Sequence, residues 1–342
     1  MRQPPISKYS DLIQATAERM LQLMQQGTIP WRRPWNDPDA PKNGSINGPW
    51  NPTSGKSYRG SNTLILLGAQ MAHGYNDNRW LTYRQAESIG AQVKRGEKGQ
   101  QIAYWDFSKA GKAKDGAEPL TEGEEKSGYQ GPSVFVATVF NASQIDGMPE
   151  PPPPFVMPES IRNLRVRELL DRHQPKVHHD GGNRAFYSVA ADSIHLPKHH
   201  TFRDDVSYQA TLLHELAHWT GAKHRLDRDQ TGRFGSQDYA KEELVAELSS
   251  LFISERLGIG LGRQHEEQHA GYLQSWMRAL EDDAKCLFRA ASQAEKVMTF
   301  LDIPAFEREP LPQVKKEQGM DQRRKAEADR RSPSRRKERQ VA

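Results

Sequence analysis

The sequence predicts an α+β protein built from two domains. The chain has 342 residues, which is enough for two domains that each bury their own hydrophobic core. A proline-rich stretch at 148–154 cannot continue a helix or a central strand, so it predicts a semi-rigid linker. Segments with helical periodicity and short runs of β-branched and aromatic residues occur on both sides of this linker, which predicts mixed secondary structure in both domains.

The predicted divisions are a first domain at 1–147, a linker at 148–158, a second domain at 159–304 and a tail at 305–342. The tail is rich in Pro, Lys, Arg, Glu and Gln and has almost no large apolar residue, a composition typical of disorder. Its clusters of arginine and lysine fit a salt-sensitive, non-specific hold on DNA as well as they fit a solubilising role alone.

Composition and charge narrow the classes of protein. A single cysteine, Cys286, excludes a disulfide framework and fits a reducing compartment. No stretch approaches the ~18 apolar residues of a membrane span, which predicts a cytoplasmic protein without membrane contact. The net charge of +4 is uneven, because residues 1–148 and the tail are basic whereas 149–314 are acidic. Contact with a polyanion should therefore involve the first domain and the tail.

The first domain should combine helices with a pair of strands. Apolar residues at helical spacing predict helices at 8–26 and 63–71. Runs of β-branched and aromatic residues predict strands at 102–107 and 134–140. These strands should pair across a polar insertion at 108–131, which we expect to be mobile.

Aromatic residues interleaved with Arg and Lys form a candidate surface for single-stranded DNA in this domain. Stacking supplies about 1–3 kcal/mol per base whatever the base, and the cations follow the phosphates. Trp80 and Tyr83 fit a hydrophobic core as well as a stacking surface. The candidate DNA-binding residues are Trp31, Arg32, Arg33, Trp35, Tyr58, Arg59, Asn62, Lys94, Arg95 and Lys98.

The second domain contains an H-E-x-x-H motif, formed by His214, Glu215 and His218. Two histidines four residues apart share one face of a helix, so both imidazoles can reach a single metal ion. Glu215 lies beside the first histidine, where its carboxylate can act as the general base that takes a proton from the attacking water. The surrounding Leu, Ala and Trp residues predict a buried helix in which the histidines are polar exceptions.

A second match to H-E-x-x-H, at 265–269, has Glu and Gln at its variable positions and follows two polar residues. These features are typical of a solvated helix face. A second metal site here is therefore the less favoured alternative.

A catalytic metal site of this kind needs a third protein ligand and an open position for water. The helical run at 239–248 places Glu243 and Glu247 on one face, and its spacing resembles the E-x-x-A-[D/E] element of several zinc metallopeptidase families. The resemblance implies that Glu243 is the third ligand and that Glu247 holds a ligand histidine by a hydrogen bond. Glu242 is the alternative ligand, and both ligand candidates could instead be surface acids of an ordinary amphipathic helix.

Other candidates surround this motif. His224 follows the helix that carries the H-E-x-x-H motif and could reach the metal, although it is not needed as a ligand if a carboxylate is the third ligand. Tyr239 and Tyr272 are candidates for a hydrogen bond to an oxyanion, or for the core. A predicted strand at 185–189 either borders the cleft, where a substrate could add as an antiparallel strand, or is internal.

The order and spacing of several short motifs resemble one family as a whole. The motifs are G-x-x-P-W-x-x-P-W at 27–35, Y-R-G-x-N at 58–62, W-x-T-Y at 80–83, V-x-x-G-E-K-G at 93–99, V-F-N-x-x-Q-I at 139–145, H-E-L-x-H-W-T-G at 214–221 and Y-x-x-E-E-L-V-A-E at 239–247. Across roughly 8–302 the chain resembles the ArdC-like antirestriction proteins, which are related to the N-terminal part of plasmid TraC primases.

This resemblance implies a single-stranded-DNA-binding domain joined to a zincin-like metallopeptidase domain that holds Zn²⁺, or another divalent ion such as Mn²⁺. It implies a protein of conjugative plasmids and related mobile elements, active in a bacterial host or recipient cell against restriction of incoming DNA. The substrate would be a restriction protein or another host protein met on or near DNA. Two alternatives stay open: a non-proteolytic protein that coats single strands and has a structural metal site, and a primase-associated accessory protein of DNA transfer.

Overall fold

A computed structural model describes residues 8–27, 48–106, 120–121, 133–153, 157–233, 235–259, 266–304 and 308–313, without the side chains of 120–121 and 266–272. Trp31, Arg32, Arg33 and Trp35 lie outside these residues, as do most of the predicted tail and of the insertion at 108–131. Within the part of the chain that the structure describes, no helix combines the length and apolar character needed to cross a membrane.

The described residues of the N-terminal part form three α-helices, α1 (Lys8–Gln25), α2 (Ser61–His73) and α3 (Tyr83–Ser88). Its strands are β1 (Trp80–Leu81), β2 (Gln92–Val93), β3 (Gln100–Asp106), β4 (Leu120–Thr121), β5 (Ser133–Asn141) and β6 (Ile145–Asp146). The two predicted helices and the two predicted strands are confirmed, with bounds that differ by at most two residues.

β5 is the strand around which the N-terminal sheet is organised. β3 pairs with it antiparallel, from Gln100 opposite Val139 to Asp106 opposite Ser133, as the sequence predicts. β1 pairs antiparallel with the end of β5, and β4 pairs parallel with its start. α1 and α2 pack against this sheet through their buried apolar faces, which include Leu12, Ala17, Met20, Met24, Leu64, Ile65 and Ala69.

The C-terminal part contains α4 (Glu159–His173), α5 (Asp205–Thr220), α6 (Gln237–Leu257), α7 (Glu266–Asp282) and α8 (Cys286–Phe300). Its sheet has the order β7-β9-β8, formed by β7 (Lys176–His178), β8 (Phe186–Ser188) and β9 (Ser193–His195). β8 pairs antiparallel with β9 and lies at the edge of this sheet. The edge position favours the first of the two alternatives for the strand predicted at 185–189.

α5 and α6 form the buried centre of the C-terminal part. Each begins at a side-chain cap: Asp204 accepts a hydrogen bond from the Ser207 N–H, and Ser236 accepts one from the Tyr239 N–H. Almost every residue of α5 and most of α6 are buried, and the buried positions include polar and charged side chains as well as apolar ones.

The last two helices, α7 and α8, both pack against α6. α8 packs mainly against α6 and also touches α5, whereas α7 packs against α6 and against α1 of the N-terminal part. The reason is that α6 buries most of its circumference, so it offers apolar surface to α7 and α8 as well as to α5.

The two parts of the chain are in contact along a seam. The Tyr9 ring makes edge-to-face contacts with Trp105 and Phe288, at centroid distances of 5.6 and 6.2 Å. Glu295 of α8 accepts hydrogen bonds from Arg59 Nη2 at 2.7 Å and from the Gly60 N–H at 2.9 Å. Buried residues of both parts belong to one hydrophobic cluster, so the segment at 148–158 does not hold the parts away from each other.

Glu255 of α6 is a buried acid at this seam. No described residue donates a hydrogen bond to its Oε1, and a Cβ on Gly48 would overlap its carboxyl group. Burial raises the pKa of Glu255 to about 7; Arg308 and Arg256 oppose the rise and Glu295 adds to it.

We expect Glu255→Gln to reduce the dependence of stability on pH. The folded protein keeps the Glu255 proton up to about pH 7, whereas the unfolded chain releases it near 4.5, so stability falls as the pH rises through this interval. As the pH rises from acidic to mildly alkaline, the free energy of unfolding of the glutamine variant should increase relative to that of wild type by about 1–3 kcal/mol. Thermal or denaturant unfolding across that range measures the difference.

Glu168→Gln, at an exposed acid of α4, is the matched control and should follow wild type at every pH. Parallel pH profiles for wild type and Glu255→Gln would show that Glu255 is already ionised in the folded protein at neutral pH.

Candidate metal centre

α5 presents His214 and His218 on one face, one helical turn apart. Their rings lie 4.9 Å apart between centroids, with an interplanar angle of 78°. Both are largely buried, with 11% and 13% of their side chains exposed. The local sequence therefore sets two imidazoles beside each other on one helix face, where both can reach one ion.

Glu243 of α6 lies between the outer nitrogens of the two rings. Its Oε2 is 3.4 Å from His214 Nε2, and its Oε1 is 3.5 Å from His218 Nε2. Ligand atoms of the three residues all lie within 4.8 Å of one another. Two imidazole nitrogens and a carboxylate at these separations fit a divalent transition metal ion, so the donor set is chemically suited to the metal that the sequence predicts.

The inner nitrogens of the two rings face two further acids of α6. His218 Nδ1 is 3.1 Å from Glu242 Oε1, within hydrogen-bond distance, and His214 Nδ1 is 3.8 Å from Glu247 Oε2. Glu247 thus lies next to His214, at a separation longer than the hydrogen bond that the resemblance implies. Glu242 lies behind His218 and not beside Glu243 at the shared Nε2 side, so its position fits a partner of the ligand better than an alternative ligand.

Glu242 is itself held by residues of the loop that follows α5. Arg228 donates to both of its carboxylate oxygens, at 3.0 and 2.8 Å, and Gln230 donates to Oε1 at 3.2 Å. Desolvation opposes ionisation, but the bonds from His218 and Arg228 outweigh it and lower the pKa of Glu242 to about 2. A fixed carboxylate behind His218 fixes the orientation of its ring.

Buried charges of opposite sign stabilise the centre. Burial disfavours the charged imidazoles, yet their hydrogen bonds to neighbouring carboxylates raise the pKa of both His214 and His218. The same contacts, against desolvation, lower the pKa of Glu243. Glu243 is therefore anionic at neutral pH, which is the form in which a carboxylate binds a metal ion.

Glu215 lies next to this group and is 5% exposed. Burial raises the pKa of its carboxyl group, while the two histidines and a hydrogen bond from the Tyr187 backbone oppose the rise. Glu215 lines a cavity of about 290 Å³ together with His214, His218 and Glu243.

The opposite side of this cavity is formed by the edge strand β8. Phe186, Tyr187 and Val189 line it, and Phe186 and Val189 remain 39% and 58% exposed. Tyr239 also lines the cavity, whereas the side chain of Tyr272 lies outside the described residues.

A second polar network, which sequence reasoning missed, attaches β8 to the end of α5. Arg225 donates to the Trp219 carbonyl at 2.6 Å and to the Tyr187 hydroxyl at 3.2 Å, and it pairs with Asp192. Its guanidinium carbon also lies 3.8 Å from the centroid of the Trp219 ring. The neighbouring His224 is 65% exposed and pairs with Asp192, so it is not part of the His214 group.

Two of the predicted DNA-binding residues use their polar groups inside the N-terminal part. The Tyr58 hydroxyl donates to the Trp80 carbonyl at 2.9 Å. The Asn62 side chain exchanges two hydrogen bonds with the backbone of Ala103, at 2.7 and 2.9 Å. These contacts support the fold, and the placement of the two side chains adds nothing in favour of DNA contact.

The cationic candidates are more exposed. Lys94, Arg95 and Lys98 lie at the surface in the loop after β2. Arg59 is 59% exposed but is paired with Glu295 of α8. The cationic candidates therefore lie in two places. Lys94, Arg95 and Lys98 are on an exposed loop, and Arg59 is at the contact between the two parts of the chain.

Comparison with known proteins identifies both parts of the chain. The model of the N-terminal domain of the anti-restriction factor ArdC matches residues 10–140, and the zincin-like metallopeptidase model MPTase-PolyVal matches residues 165–293. The Mn(II)-bound crystal structure of the antirestriction ArdC protein from plasmid R388 is 33% identical, with a TM-score of 0.64, and the match covers 85% of this chain and 97% of that one.

Two relatives extend the comparison. The uncharacterized protein y4eC of Sinorhizobium fredii is 36% identical, over 85% of this chain and 92% of its own length. A protein of Escherichia coli named DNA primase TraC is 42% identical over 324 residues, but these cover 89% of this chain and only 28% of TraC. The chain thus spans less than a third of that relative.

Fold and site together define an ArdC N-terminal domain followed by a zincin-like metallopeptidase domain. The chain belongs to the ArdC family of antirestriction proteins. The fold class and the family predicted from the sequence are confirmed.

We expect Glu243→Ala to abolish stoichiometric metal binding, because it removes the carboxylate that lies between both Nε2 atoms. Glu242→Ala, at the adjacent position, should still bind about one ion per chain at saturation but roughly 10–100-fold more weakly, since it removes only the partner of His218. Elemental analysis after dialysis, followed by metal titration, measures both quantities.

Circular dichroism and thermal unfolding of the two variants are the control for whether each remains folded. If Glu243→Ala kept its full metal content and Glu242→Ala lost its metal, then Glu242 would be the ligand and Glu243 would not.

Proposed function

We propose that this protein is a metal-dependent peptidase of an antirestriction system, acting on proteins at or near single-stranded DNA in the cytoplasm of a bacterial cell. The observation that carries the proposal is the position of Glu215. It is buried beside His214, His218 and Glu243 and faces a cavity bordered by the edge strand β8. A site that only stabilises the fold has no use for an additional acid in this position.

His214, His218 and Glu243 would hold one divalent ion, for which we propose zinc, with Mn²⁺ as a substitute; the ArdC protein of R388 has been crystallised with Mn(II). When bound, such an ion polarises a carbonyl group and makes a water molecule more acidic. Glu242 and Glu247 would keep the two imidazoles in the orientation that binding requires.

Glu215 would act as the general base and then as the general acid. Burial raises the pKa of its carboxyl group, which makes Glu215 a stronger base for accepting a proton from water before it returns that proton to the leaving amine. The Tyr187 backbone N–H holds the carboxylate in place. Tyr239, at the wall of the cavity, is our candidate for a hydrogen bond to the oxyanion.

β8 offers a means of binding an extended peptide. An edge strand has unpaired backbone groups with which a substrate segment can form antiparallel hydrogen bonds. The exposed Phe186 and Val189 would contact its side chains. This mode fits peptides in an unfolded or loop conformation and does not demand one particular sequence.

The N-terminal domain would bring this site to DNA. It belongs to the ArdC N-terminal family, and its loop after β2 exposes Lys94, Arg95 and Lys98. Exposed cations on one loop suit the backbone of a single strand. The substrate would be a restriction protein or another host protein bound to the same DNA.

The main rival is a protein that protects single strands by coating them and uses the metal only for stability. A third possibility, an accessory role in priming during DNA transfer, draws on the similarity to TraC. The presence of Glu215 in the cavity favours the enzyme over both, because neither rival requires a general base.

We expect Glu215→Ala to abolish peptidase activity and antirestriction together. Removal of a general base lowers the rate about 10²–10⁴-fold, while the metal ligands and the DNA-binding domain are unchanged. Plating efficiency of unmodified DNA in a restricting host, and cleavage of DNA-bound proteins in vitro, are the readouts.

Glu168→Ala serves as the control at an exposed acid. Metal content and affinity for single strands should be equal in Glu215→Ala and wild type. Antirestriction that persists in Glu215→Ala would favour the coating protein.

We also expect the wild-type chain to bind single-stranded DNA with an affinity that falls steeply as salt rises. Replacing Lys94 and Arg95 by Glu should weaken binding and reduce the slope of log affinity against log salt, by roughly 0.7 for each phosphate that the protein no longer neutralises. Fluorescence anisotropy with a labelled oligothymidylate measures both. A slope that stays constant would place the phosphate-binding residues elsewhere.

A further inference from the structure

A second cavity, of about 230 Å³, lies in the N-terminal part, away from the metal centre. It is lined by residues of α1, of the turn after α2, of β1 and of the loop before β3. Its principal polar and aromatic residues are Arg19, His73, Tyr75, Trp80 and Lys98. None of its lining residues is a carboxylate.

Trp80 forms part of the wall of this cavity. Its side chain is 1% exposed and its Nε1 is buried, so the indole contributes apolar ring surface to the cavity.

The cavity also has cations and an aromatic platform. Arg19 and Lys98 contribute positive charge, and no described carboxylate pairs with either of them. The His73 and Tyr75 rings stack at a centroid distance of 5.3 Å and an angle of 24°, and Tyr75 meets Trp80 edge-on at 6.0 Å. Cations next to a stacked pair of rings suit a ligand that is both anionic and aromatic.

Hydrogen bonds fix part of this lining. Arg19 Nη1 donates to Gln100 Oε1 at 2.6 Å. The backbone is held at Tyr75, whose N–H donates to the Gln70 carbonyl at 3.0 Å, and at Lys98, whose carbonyl accepts from the buried Gln144 at 3.0 Å. Gln144 also donates to the Glu97 carboxylate at 2.8 Å, and this acid lies close enough to Tyr75 to contribute, after burial, to raising the pKa of the Tyr75 hydroxyl.

We propose that this cavity binds one nucleotide of single-stranded DNA. The base stacks on the Tyr75 ring, and Arg19 and Lys98 bind the adjoining phosphates. The inference rests on the proposed binding of single strands and assigns it to a site.

The assignment brings together two family motifs that the proposed peptidase does not use. Trp80 belongs to the W-x-T-Y motif and Lys98 to the V-x-x-G-E-K-G motif. Gly99, next to Lys98, is required for close approach, because a Cβ there would lie 2.8 Å from the Val139 carbonyl oxygen. The loop after β2 can therefore pack against β5 and present Lys98 to the cavity.

The test compares full-length variants in anisotropy titrations with labelled oligothymidylate and with an abasic strand of the same length. Tyr75→Ala should bind oligothymidylate about tenfold more weakly, and Tyr75→Phe, which keeps the ring, should bind like wild type. On the abasic strand Tyr75→Ala should equal wild type, because the substitution removes only the stacking on a base. Lys98→Ala should weaken binding of both strands, and more so than Arg95→Ala, an equal change of charge on the same loop outside the cavity.

The outcomes separate this inference from the proposed function. If wild type fails to bind either strand, the proposed binding of single-stranded DNA is itself wrong. A different result would overturn only the assignment to this cavity. In that case wild type binds single strands, but Tyr75→Ala either binds oligothymidylate as tightly as wild type does or is weakened equally on the abasic strand. Thymidine monophosphate that competes as well as the oligonucleotide, per nucleotide, would assign the cavity to free nucleotides and also overturn it.

Photocrosslinking gives an independent readout that does not depend on the stability of a variant. A strand carrying 5-iodouracil should form adducts with His73 or Tyr75, which lie where the base is placed. Adducts confined to residues outside the cavity would contradict the assignment.

Discussion

The packing of α6 against α5 is the interaction on which the candidate site depends. α5 alone supplies two histidines and a glutamate, and the candidate third ligand completes the group only because α6 sets Glu243 between the two Nε2 atoms. Burying these ionisable groups is costly unless each is paired. Glu242, Glu247 and Arg228 provide the pairing, and Ser250, which donates to the Ala210 carbonyl at 3.2 Å, links the two helices away from the charges. The candidate metal site and the hydrophobic core of the C-terminal part are thus formed by the same two helices.

The sequence predicts what is local and periodic. His214, Glu215 and His218 could be found because helical spacing alone places them together, and Glu243 because its motif resembles that of known metallopeptidases. The roles of Arg228 and Gln230 could not be predicted, since they depend on a loop that folds back onto α6 and has no period. Arg225 and Asp192 escaped prediction for the same reason: they meet across 33 residues of chain.

Prediction of the fold likewise succeeds for periodic segments and fails for features that depend on long-range contacts. The long strands β3 and β5 and the longer helices were predicted because several alternating or periodic residues define each of them. Strands such as β1, β2 and β6 have only two residues, too few to show alternation, and they form because the surrounding chain brings their backbones together. Arg59 illustrates a harder limit. Sequence offered it as a phosphate contact, while the structure pairs it with Glu295, 236 residues away.

The seam that includes this pair gives a physical reason for joining the two domains in one chain. α8 packs on α6, which carries Glu243, and its Glu295 binds Arg59 of the N-terminal part, so the cleft has a defined position relative to the surface proposed for DNA. Contact of this kind does not by itself couple two sites energetically. A fixed geometry is nevertheless sufficient for a peptidase of broad sequence tolerance. A protein bound to the same strand would be present at high effective concentration beside β8. Selection of substrates would then come from location on DNA, and the cleft would need little specificity of its own.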